Sequence, residues 1–398
     1  MSDDQPLAGI RVLDLSNLIA GPLAGMFLAD FGAEVIKVEH PARPDELRRW
    51  GHAKNDVGLY FKVLNRNKKT IGLDLKHDEG RDLALRLIDR CDVVVENFRP
   101  DTLECWGLGW ETLHSANPEL IMLRVSGYGQ TGEYRRRAGF GTVAEAFGGA
   151  AAITGHRDGP PLLPPFPLGD ATTAIFGAFG VLVALHRRTR EGGGQMVDLA
   201  LYEGLLTMLG PQVIDFDQLG MVQKRDGSRL PFVSPRNAYE TADGTWVALS
   251  GSTQGTFERL MKGLSLDHVP GDPRFVDNRG RVANADALDA EIQAAVLKLP
   301  LERVLEIAEE VEAPIGPVNE IGAIFEDPHI RDRDNITSVD DDELGTVRMQ
   351  GVVPRLTTTP GRITHAGARH REYNHEVYTG LLGLGDEELA DLEARGIV

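Results

Sequence analysis

The sequence contains little cysteine and no long uncharged segment. Cys91 and Cys105 are its only cysteines, too few for a disulfide framework or a cysteine-based zinc site and typical of a reducing compartment. The longest uncharged helical candidate, residues 171–185, spans 15 residues, whereas a membrane-spanning helix needs roughly 20. We therefore expect no transmembrane segment and no membrane partner.

Positive charge is also scarce. The chain carries 60 acidic and 42 basic residues, a net charge of −18, which argues against general binding to nucleic acid. Residues 36–76 depart from this average, with ten Lys or Arg against five Asp or Glu. This composition suits a small polyanionic ligand, and a solvated basic face would look the same. The first nine residues match neither a secretory signal nor an Arg-rich transit peptide, so we expect a cytoplasmic protein.

Several catalytic motifs are missing. The eleven histidines include no H-E-x-x-H or similar ligand spacing, so no metal site is predicted. Neither G-x-S-x-G nor G-x-x-x-x-G-K-[ST] occurs. The main signatures of serine hydrolases and P-loop proteins are therefore absent from the sequence.

Apolar strand patterns alternate with helical patterns in the first part of the chain. Strands are predicted at residues 10–16, 34–40, 92–97 and 119–127. This alternation predicts an α/β fold with a mainly parallel sheet that helices cover on both faces. Ligands of such sheets bind beyond the carboxyl ends of the strands.

The pattern changes in the second half of the chain. A polar segment with Gly and Pro precedes a strand hairpin and several helices, and the tail ends in a charged helix. We predict a large domain at residues 1–200, a linker at 201–230, a small α+β domain at 231–330, and a return to the large domain at 331–398.

A glycine motif follows the strand at residues 119–127. Gly127, Gly129 and Gly132 have the G-x-G-x-x-G spacing of a dinucleotide site. Such a site requires a helix that opens at the glycines, but three arginines and two more glycines follow within residues 133–143. We therefore favour a glycine loop beside a polyanion, or a simple strand-ending loop, over NAD binding.

Asp170 follows a segment with Pro and Gly and opens a helix of small apolar residues. This position predicts an N-cap, whose side chain accepts hydrogen bonds from free backbone amides. The helix dipole would keep the carboxylate ionised. An ionised carboxylate at a buried helix end can also act as a nucleophile.

Seven segments, taken in order, resemble the class III CoA-transferases, the family of formyl-CoA transferase and carnitine CoA-transferase. They read GIRVLDLSNLIAGPLAGMFLADFGAEVIKVEHP, NRNKKTIGLDLK, DVVVENFRPDTLECWGLGW, NPELIMLRVSGYGQTG, PLGD, GGGQMVDLALYEG and APIGPVNEI. The resemblance extends to a sister group, the alpha-methylacyl-CoA racemases. It implies a Rossmann-like large domain formed by both termini, a smaller inserted α+β domain, and an interlocked homodimer.

The resemblance also implies the site residues. The family's nucleophilic aspartate matches Asp170. Coenzyme A contacts are implied at Ile19, Ala20, His40, Leu73, Lys76, Asn97, Phe98, Arg99, Ala138, Gly139, Phe140 and Gly141. The formyl-CoA enzyme has basic residues where this chain has His40 and Cys105, and Lys76, Arg99 and the cluster Arg135–Arg137 could substitute for those phosphate contacts.

The reaction implied for the family moves CoA from an acyl-CoA thioester to a free carboxylic acid. Asp170 would form mixed anhydrides and an aspartyl-CoA thioester, with acyl-CoA as a substrate and no permanently bound cofactor. Residues 250–255 (SGSTQG) are a candidate lid over the site.

The main alternative is a racemase that acts on 2-methylacyl-CoA. Racemases of this superfamily carry a histidine shortly after the GYGQTG loop, where this chain has Phe140. Phenylalanine cannot transfer a proton, so we favour CoA transfer. A CoA-binding protein without activity is a third reading, which the presence of Asp170 in its motif disfavours. The sequence leaves the donor and acceptor acids open.

Overall fold

The computed structural model describes residues 4–398. Its internal contacts divide the chain into two units. The larger unit comprises the described residues up to Ala150, together with Pro164–Gly210 and His329–Val398. The smaller unit comprises Ala151–Leu163 and Pro211–Pro328.

The described residues contain thirteen strands. They are β1 (Arg11–Asp14), β2 (Glu34–Glu39), β3 (Ala53–Lys54), β4 (Val57–Gly58), β5 (Lys68–Gly72), β6 (Val93–Glu96), β7 (Ile121–Ser126), β8 (Met196–Ala200), β9 (Arg236–Glu240), β10 (Trp246–Ser250), β11 (Ile315–Pro317), β12 (Ile336–Asp341) and β13 (Gly345–Gln350).

The helices in the same residues are α1 (Ala20–Ala29), α2 (Leu59–Leu64), α3 (Asp78–Ile88), α4 (Thr102–Cys105), α5 (Trp110–Ala116), α6 (Gly141–Phe147), α7 (Ala150–Ile153), α8 (Leu168–Glu191), α9 (Glu203–Met208), α10 (Gln212–Leu219), α11 (Gln254–Gly263), α12 (Asn278–Ala283), α13 (Ala285–Val296), α14 (Leu301–Glu310), α15 (Ile321–Glu326), α16 (Pro328–Asp332) and α17 (Asp386–Ala394). Short 3₁₀ segments lie at Glu46–Arg49 and Val269–Gly271, and a π-helical segment lies at Glu376–Leu381.

The main sheet of the larger unit has six parallel strands in the order β5-β2-β1-β6-β7-β8. From β1 the chain adds β2 and β5 on one side, and it then crosses to the other side of β1, where it adds β6, β7 and β8. This is the order of a doubly wound sheet. This confirms the predicted α/β fold with a large parallel sheet. The reversal places a topological switch point between β1 and β6, where ligands of such sheets bind.

Both faces of the sheet are buried. Successive residues of a strand point to opposite faces, and in β1 Val12 and Leu13 belong to different hydrophobic clusters. One cluster packs the Leu13 face against α3, α5 and α17, and the other packs the Val12 face against α1 and α8. Burial on both faces explains why these strands read as continuous apolar runs.

Helix α8 is longer than the sequence suggests. It spans 24 residues, so its length and composition alone would allow it to cross a membrane. The uncharged segment 171–185 is therefore the middle of a longer helix, and length alone does not decide whether α8 spans a membrane. Half of its most apolar window is buried inside the protein. Gly177 packs so closely on β7 that an added Cβ would lie 2.9 Å from Leu123 Cδ2, which is the packing of a core helix.

The smaller unit is built around a three-stranded antiparallel sheet in the order β11-β10-β9. Helices α11, α13 and α14 bury their apolar faces in one cluster with this sheet. The segment 201–230, predicted as a linker, contains α9 and α10. The segment Ala151–Leu163 also belongs to this unit, although the sequence pattern gave no sign of it.

Truncation of Ile36 tests the core of the main sheet. Ile36 lies in β2 and is fully buried. Ile36→Ala should lower the free energy of unfolding by about 2–5 kcal/mol, because it removes apolar contacts and leaves a cavity, whereas Ile36→Val should cost about 0.5–1.5 kcal/mol. Urea unfolding followed by circular dichroism measures both. Equal losses for the two variants would contradict the packing described here.

Candidate active site

A cavity of about 540 Å³ opens at the carboxyl ends of the central strands. Its lining includes Asn17 and Leu18 after β1, His40 after β2, Leu73 and Lys76 after β5, and Phe98 after β6. These segments are separated along the chain and come together because parallel strands end at the same edge of the sheet. All of them lie in the larger unit.

Two asparagines close the switch point between β1 and β6. The Asn97 side chain accepts a hydrogen bond from the Asn17 backbone N–H at 2.8 Å and donates one to the Asn17 carbonyl at 2.7 Å. A side-chain amide that satisfies both backbone groups of one residue fixes the loop after β1 against the loop after β6. Asn97 therefore shapes the cavity through Asn17.

A buried ion pair supports the same loop from beneath. Lys37 Nζ lies 3.1 Å from Asp45 Oδ2, and both side chains are fully buried. Lys37 also donates to the Ser16 carbonyl, and the Asp45 carboxylate accepts the Leu18 backbone N–H at 3.1 Å. Burial disfavours the charged ammonium, but nearby carboxylates, Asp45 foremost, outweigh it and raise the pKa of Lys37.

Leu18 needs this support because its backbone is strained. Its φ is +63°, in the left-handed region that branched side chains rarely adopt. Such conformations persist only where surrounding contacts impose them, and they are common at functional sites. The Lys37–Asp45 pair therefore holds a strained turn in the cavity wall.

Another part of the cavity wall is aromatic. Phe98 and Trp106 pack edge to face with ring centroids 5.1 Å apart, and Lys76 Nζ lies 5.5 Å from the Trp106 ring. Beneath them the buried Glu96 accepts the Phe98 backbone N–H at 2.7 Å and pairs with Arg124 at 2.6 Å. Burial raises the pKa of Glu96 to about 7. The wall offers an apolar surface with one cation over it.

Asp170 is the third residue of α8, not its N-cap. Pro167 occupies the N-cap position and makes no side-chain cap. Glu145 of α6 performs the capping role instead, since its Oε1 accepts the Gly169 backbone N–H at 3.0 Å. The predicted N-cap role of Asp170 is therefore wrong, because α8 begins two residues earlier, at Leu168.

Gly141 contacts the Asp170 side chain directly. A Cβ added to Gly141 would lie 2.9 Å from Cγ of Asp170, closer than real Cβ atoms approach other atoms. The preceding residue, Phe140, lines the cavity. The backbone at Phe140 and Gly141 thus connects the cavity with the carboxylate.

The pKa of Asp170 is raised to about 6, first by burial and then by the negative charge of Glu145. The sequence led us to expect the opposite effect, since a helix N-terminus favours a carboxylate. At pH 7 a group with this pKa is still about 90% ionised. Asp170 is therefore an ionised carboxylate of unusually high basicity, a combination typical of functional sites.

The structure brings only some of the predicted residues into the cavity. His40, Leu73, Lys76, Phe98 and Phe140 line it. The others have different positions: Ile19 and Ala20 are buried at the start of α1, Asn97 binds Asn17, Arg99 and Ala138 are exposed, and Gly139 packs on Gly127. No helix opens at the G-x-G-x-x-G, because the next helix, α6, begins at Gly141.

The arginines at 135–137 already have partners within the larger unit. Arg135 and Arg136 each pair with Asp101 at 3.0 Å, and the Arg137 guanidinium lies 3.5 Å from the centre of the Tyr134 ring. These contacts disfavour the suggested role of the three residues in binding phosphates.

Three residues near the site escaped the sequence analysis. Arg43 lines the cavity within the basic segment 36–76, whose composition was the available signal. Tyr60 has its pKa raised by burial and then by the charge of Asp170. Glu145 is buried at 3% exposure. The sequence feature that could have revealed it is that it is the single acidic residue among the small and apolar residues of α6.

Comparison with known proteins gives a consistent assignment. A family model described as CoA-transferase family III matches residues 7–368. The chain is 44% identical to a Chloroflexus aurantiacus protein named succinyl-CoA–D-citramalate CoA-transferase, over 99% of this chain and 98% of that one. It is 38% identical to the succinyl-CoA:mesaconate CoA-transferase of Haloarcula hispanica, over 84% and 85% of the two chains.

A solved structure agrees with these relatives. The crystal structure of a CAIB/BAIF family protein from Brucella suis superposes with a TM-score of 0.84 at 30% sequence identity. The match covers 95% of this chain and 100% of that one.

The raised pKa of Asp170 predicts a pH-dependent gain in stability for Asp170→Asn. In the folded state the carboxyl is protonated below about pH 6, whereas its ordinary pKa is 3.8. Ionisation therefore destabilises the fold as pH rises through 6, by up to about 3 kcal/mol. Asp170→Asn should be more stable than the wild type at pH 7.5, and this gain should vanish near pH 4.

Urea unfolding of both proteins between pH 4 and 8 measures the effect. Asp198→Asn is the matched control, since it neutralises an exposed carboxylate of the same unit that accepts the Gln130 backbone N–H. A gain that is equal at pH 4 and pH 7.5, or absent at both, would show that Asp170 has an ordinary pKa.

Proposed function

The chain belongs to CoA-transferase family III, and we propose that Asp170 is the nucleophile that carries CoA from the donor acyl-CoA to the acceptor acid. The observation that carries the proposal is the Asp170 carboxylate itself. It is partly buried, has a pKa of about 6, and lies against Gly141 next to a cavity-lining residue. A carboxylate that is ionised yet basic has the properties of a good oxygen nucleophile.

The proposed reaction has two symmetric halves. An Asp170 oxygen attacks the thioester carbonyl, the C–S bond breaks, and CoA departs as its thiolate. A mixed anhydride of Asp170 and the donor acid is formed. The thiolate attacks the aspartyl carbonyl, so the donor acid departs and an aspartyl-CoA thioester remains. The acceptor carboxylate attacks this thioester, and the released thiolate takes the acceptor acyl group from the second anhydride. Asp170 is regenerated as a carboxylate.

Covalent catalysis suits this exchange because each step trades one activated acyl group for another of similar energy. The reaction needs donors for the oxyanions that form at the attacked carbonyls. Backbone amides of glycine-bearing loops are the candidates in this chain. Gly139 and Gly141 flank Phe140 beside Asp170, so their amides are candidate donors at this site. Residues 250–255, predicted from the sequence as a lid, run from β10 into α11 of the smaller unit.

We place CoA in the cavity at the carboxyl ends of the strands. Arg43 and Lys76 supply positive charge there for the CoA phosphates, and His40 offers a ring nitrogen as a hydrogen-bonding group. His40 Nε2 lies 3.7 Å from Asp74 Oδ2, so a bound phosphate would share the histidine with this carboxylate. The apolar surface of Phe98 and Trp106 offers a stacking partner for the adenine or the pantetheine arm.

The relatives support dicarboxylic substrates. The two named above carry succinyl-CoA in their names, together with D-citramalate or mesaconate. We therefore infer that this chain takes CoA from succinyl-CoA and gives it to a small dicarboxylate. Racemisation is the weaker alternative, because Phe140 holds the cavity position where the racemases carry a histidine.

We also propose the interlocked homodimer implied by the family, and a cytoplasmic location. Large apolar side chains are exposed on α8, including Ile175 and Phe179, and on α10, including Ile214 and Phe216. Clusters of exposed apolar residues of this kind mark protein interfaces. A second copy of the chain would cover them.

The nucleophile can be tested by trapping the covalent intermediate. The wild-type protein, incubated with succinyl-CoA and digested, should give the peptide containing Asp170 with the mass of CoA added. Asp170→Asn should give no such peptide while it still binds succinyl-CoA in calorimetry. If the adduct sits on another residue, or the α-proton of a 2-methylacyl-CoA exchanges with deuterated water instead, the proposed function is wrong.

Gly141→Ala tests the fit between this loop and the nucleophile. The added methyl group would collide with the Asp170 carboxylate, and a displacement of about 1 Å can lower a rate about 10²-fold. We expect kcat for CoA transfer to fall by this order, with a small change in the KM for acyl-CoA. Gly380→Ala is the control, because its added Cβ meets open space. Wild-type kcat in Gly141→Ala would contradict the contact.

A further inference from the structure

Glu145 is the buried carboxylate that the proposed reaction leaves without a role. It lies on α6, is 3% exposed, and accepts the Gly169 backbone N–H through Oε1 at 3.0 Å. Gly169 immediately precedes Asp170 in the first turn of α8. The acid thus holds the residue next to the nucleophile by a direct hydrogen bond.

Because of this hydrogen bond, the Asp170 carboxylate is not needed as an acceptor for the Gly169 N–H. Amides in the first turn of a helix need acceptors, and an acidic side chain of that turn often supplies one. Because Glu145 binds the Gly169 amide, this amide makes no demand on the Asp170 carboxylate. A carboxylate that accepts several backbone hydrogen bonds has a low pKa and is a poor nucleophile.

The charge of Glu145 acts in the same direction. A like charge close to a carboxylate disfavours its ionised form and makes it more basic, and Glu145 is the charged group that raises the pKa of Asp170. Tyr60 of α2 also faces Asp170. Of the other elements packed against α8, α1 has no charged residue, and the charged groups of β7, β8 and α9 have their own partners. Arg124 of β7 pairs with Glu96 and Glu104. Asp198 of β8 accepts the Gln130 N–H, and Glu203 of α9 accepts the Ala200 N–H.

We propose that Glu145 is a positioning residue of the transfer reaction, which holds the first turn of α8 and by its negative charge keeps the Asp170 carboxylate strongly nucleophilic. This inference rests on the proposed function, because it assigns Glu145 a role in the attack by Asp170. It differs from a purely structural cap in requiring the charge as well as the hydrogen bond.

Two substitutions separate the charge from the hydrogen bond. Glu145→Gln keeps an oxygen acceptor for the Gly169 N–H and removes the charge. Glu145→Ala removes both. Glu203→Gln is the matched control, since it makes the same change at a carboxylate of the same unit that also accepts a backbone N–H. Thermal unfolding identifies any variant that has lost its fold.

The measurement is the rate of CoA attachment to Asp170 in a single turnover with subsaturating succinyl-CoA, between pH 4.5 and 9. This rate reports the ionisation of the free enzyme, and in the wild type it should fall below about pH 6 as Asp170 becomes protonated. In Glu145→Gln the fall should move to lower pH, and the plateau at high pH should drop several-fold. In Glu145→Ala the plateau should drop by up to about 10²-fold because the first turn of α8 loses its anchor.

The outcomes distinguish this inference from the proposed function. If the wild type forms the adduct and Glu145→Gln has the same pH profile and plateau, Glu145 is only a cap and the inference is wrong while the function stands. An equal shift in Glu203→Gln would also overturn it, because the effect would not belong to Glu145. If the wild type forms no adduct on Asp170, the proposed function fails and this inference fails with it.

Discussion

The buried ion pair between Lys37 and Asp45 is the interaction on which the cavity depends. A charge moved from water into a protein interior is costly unless a partner of opposite sign is close. Here one ammonium binds the Ser16 carbonyl and the Asp45 carboxylate, and Asp45 in turn binds the strained Leu18. The carboxyl ends of β1 and β2 are thereby locked into one wall, against which the other walls are arranged.

Asp170 differs from several buried charged residues of the unit that pair with a group of opposite sign. Buried Lys68 pairs with Asp14 at 2.9 Å, and buried Arg66 pairs with Asp30 at 2.6 Å. The pKa of Asp170 is instead raised by its burial and then by the charge of the Glu145 carboxylate. Active sites are where such local costs are retained, because the group that destabilises the fold is the group that reacts. The fold can bear this cost because several other buried charges of the unit, Lys68 and Arg66 among them, have partners of opposite sign.

Much of the fold and of the candidate site could be predicted from the sequence. The strand patterns predicted the parallel sheet, and the family motifs pointed to Asp170 and to five residues that line the cavity. One inference from local pattern failed: Asp170 is not the N-cap of α8, because the helix begins two residues earlier, at Leu168. The suggested phosphate role of the arginines at 135–137 stays a prediction. Arg135 and Arg136 pair with Asp101, which is distant in the sequence, so the local pattern gave no sign of these ion pairs.

The sequence by itself determined the alternation of strands and helices in the first part of the chain, the order of the motifs and the identity of the candidate nucleophile, since these depend on residues close together in the chain. Only the tertiary structure decided which strand ends line one cavity. It also decided that Glu145 hydrogen-bonds to Gly169 and that Gly141 contacts the Asp170 side chain. It also decided the basicity of Asp170. Burial and the distance between two charges set a pKa, and neither quantity exists until the helices pack.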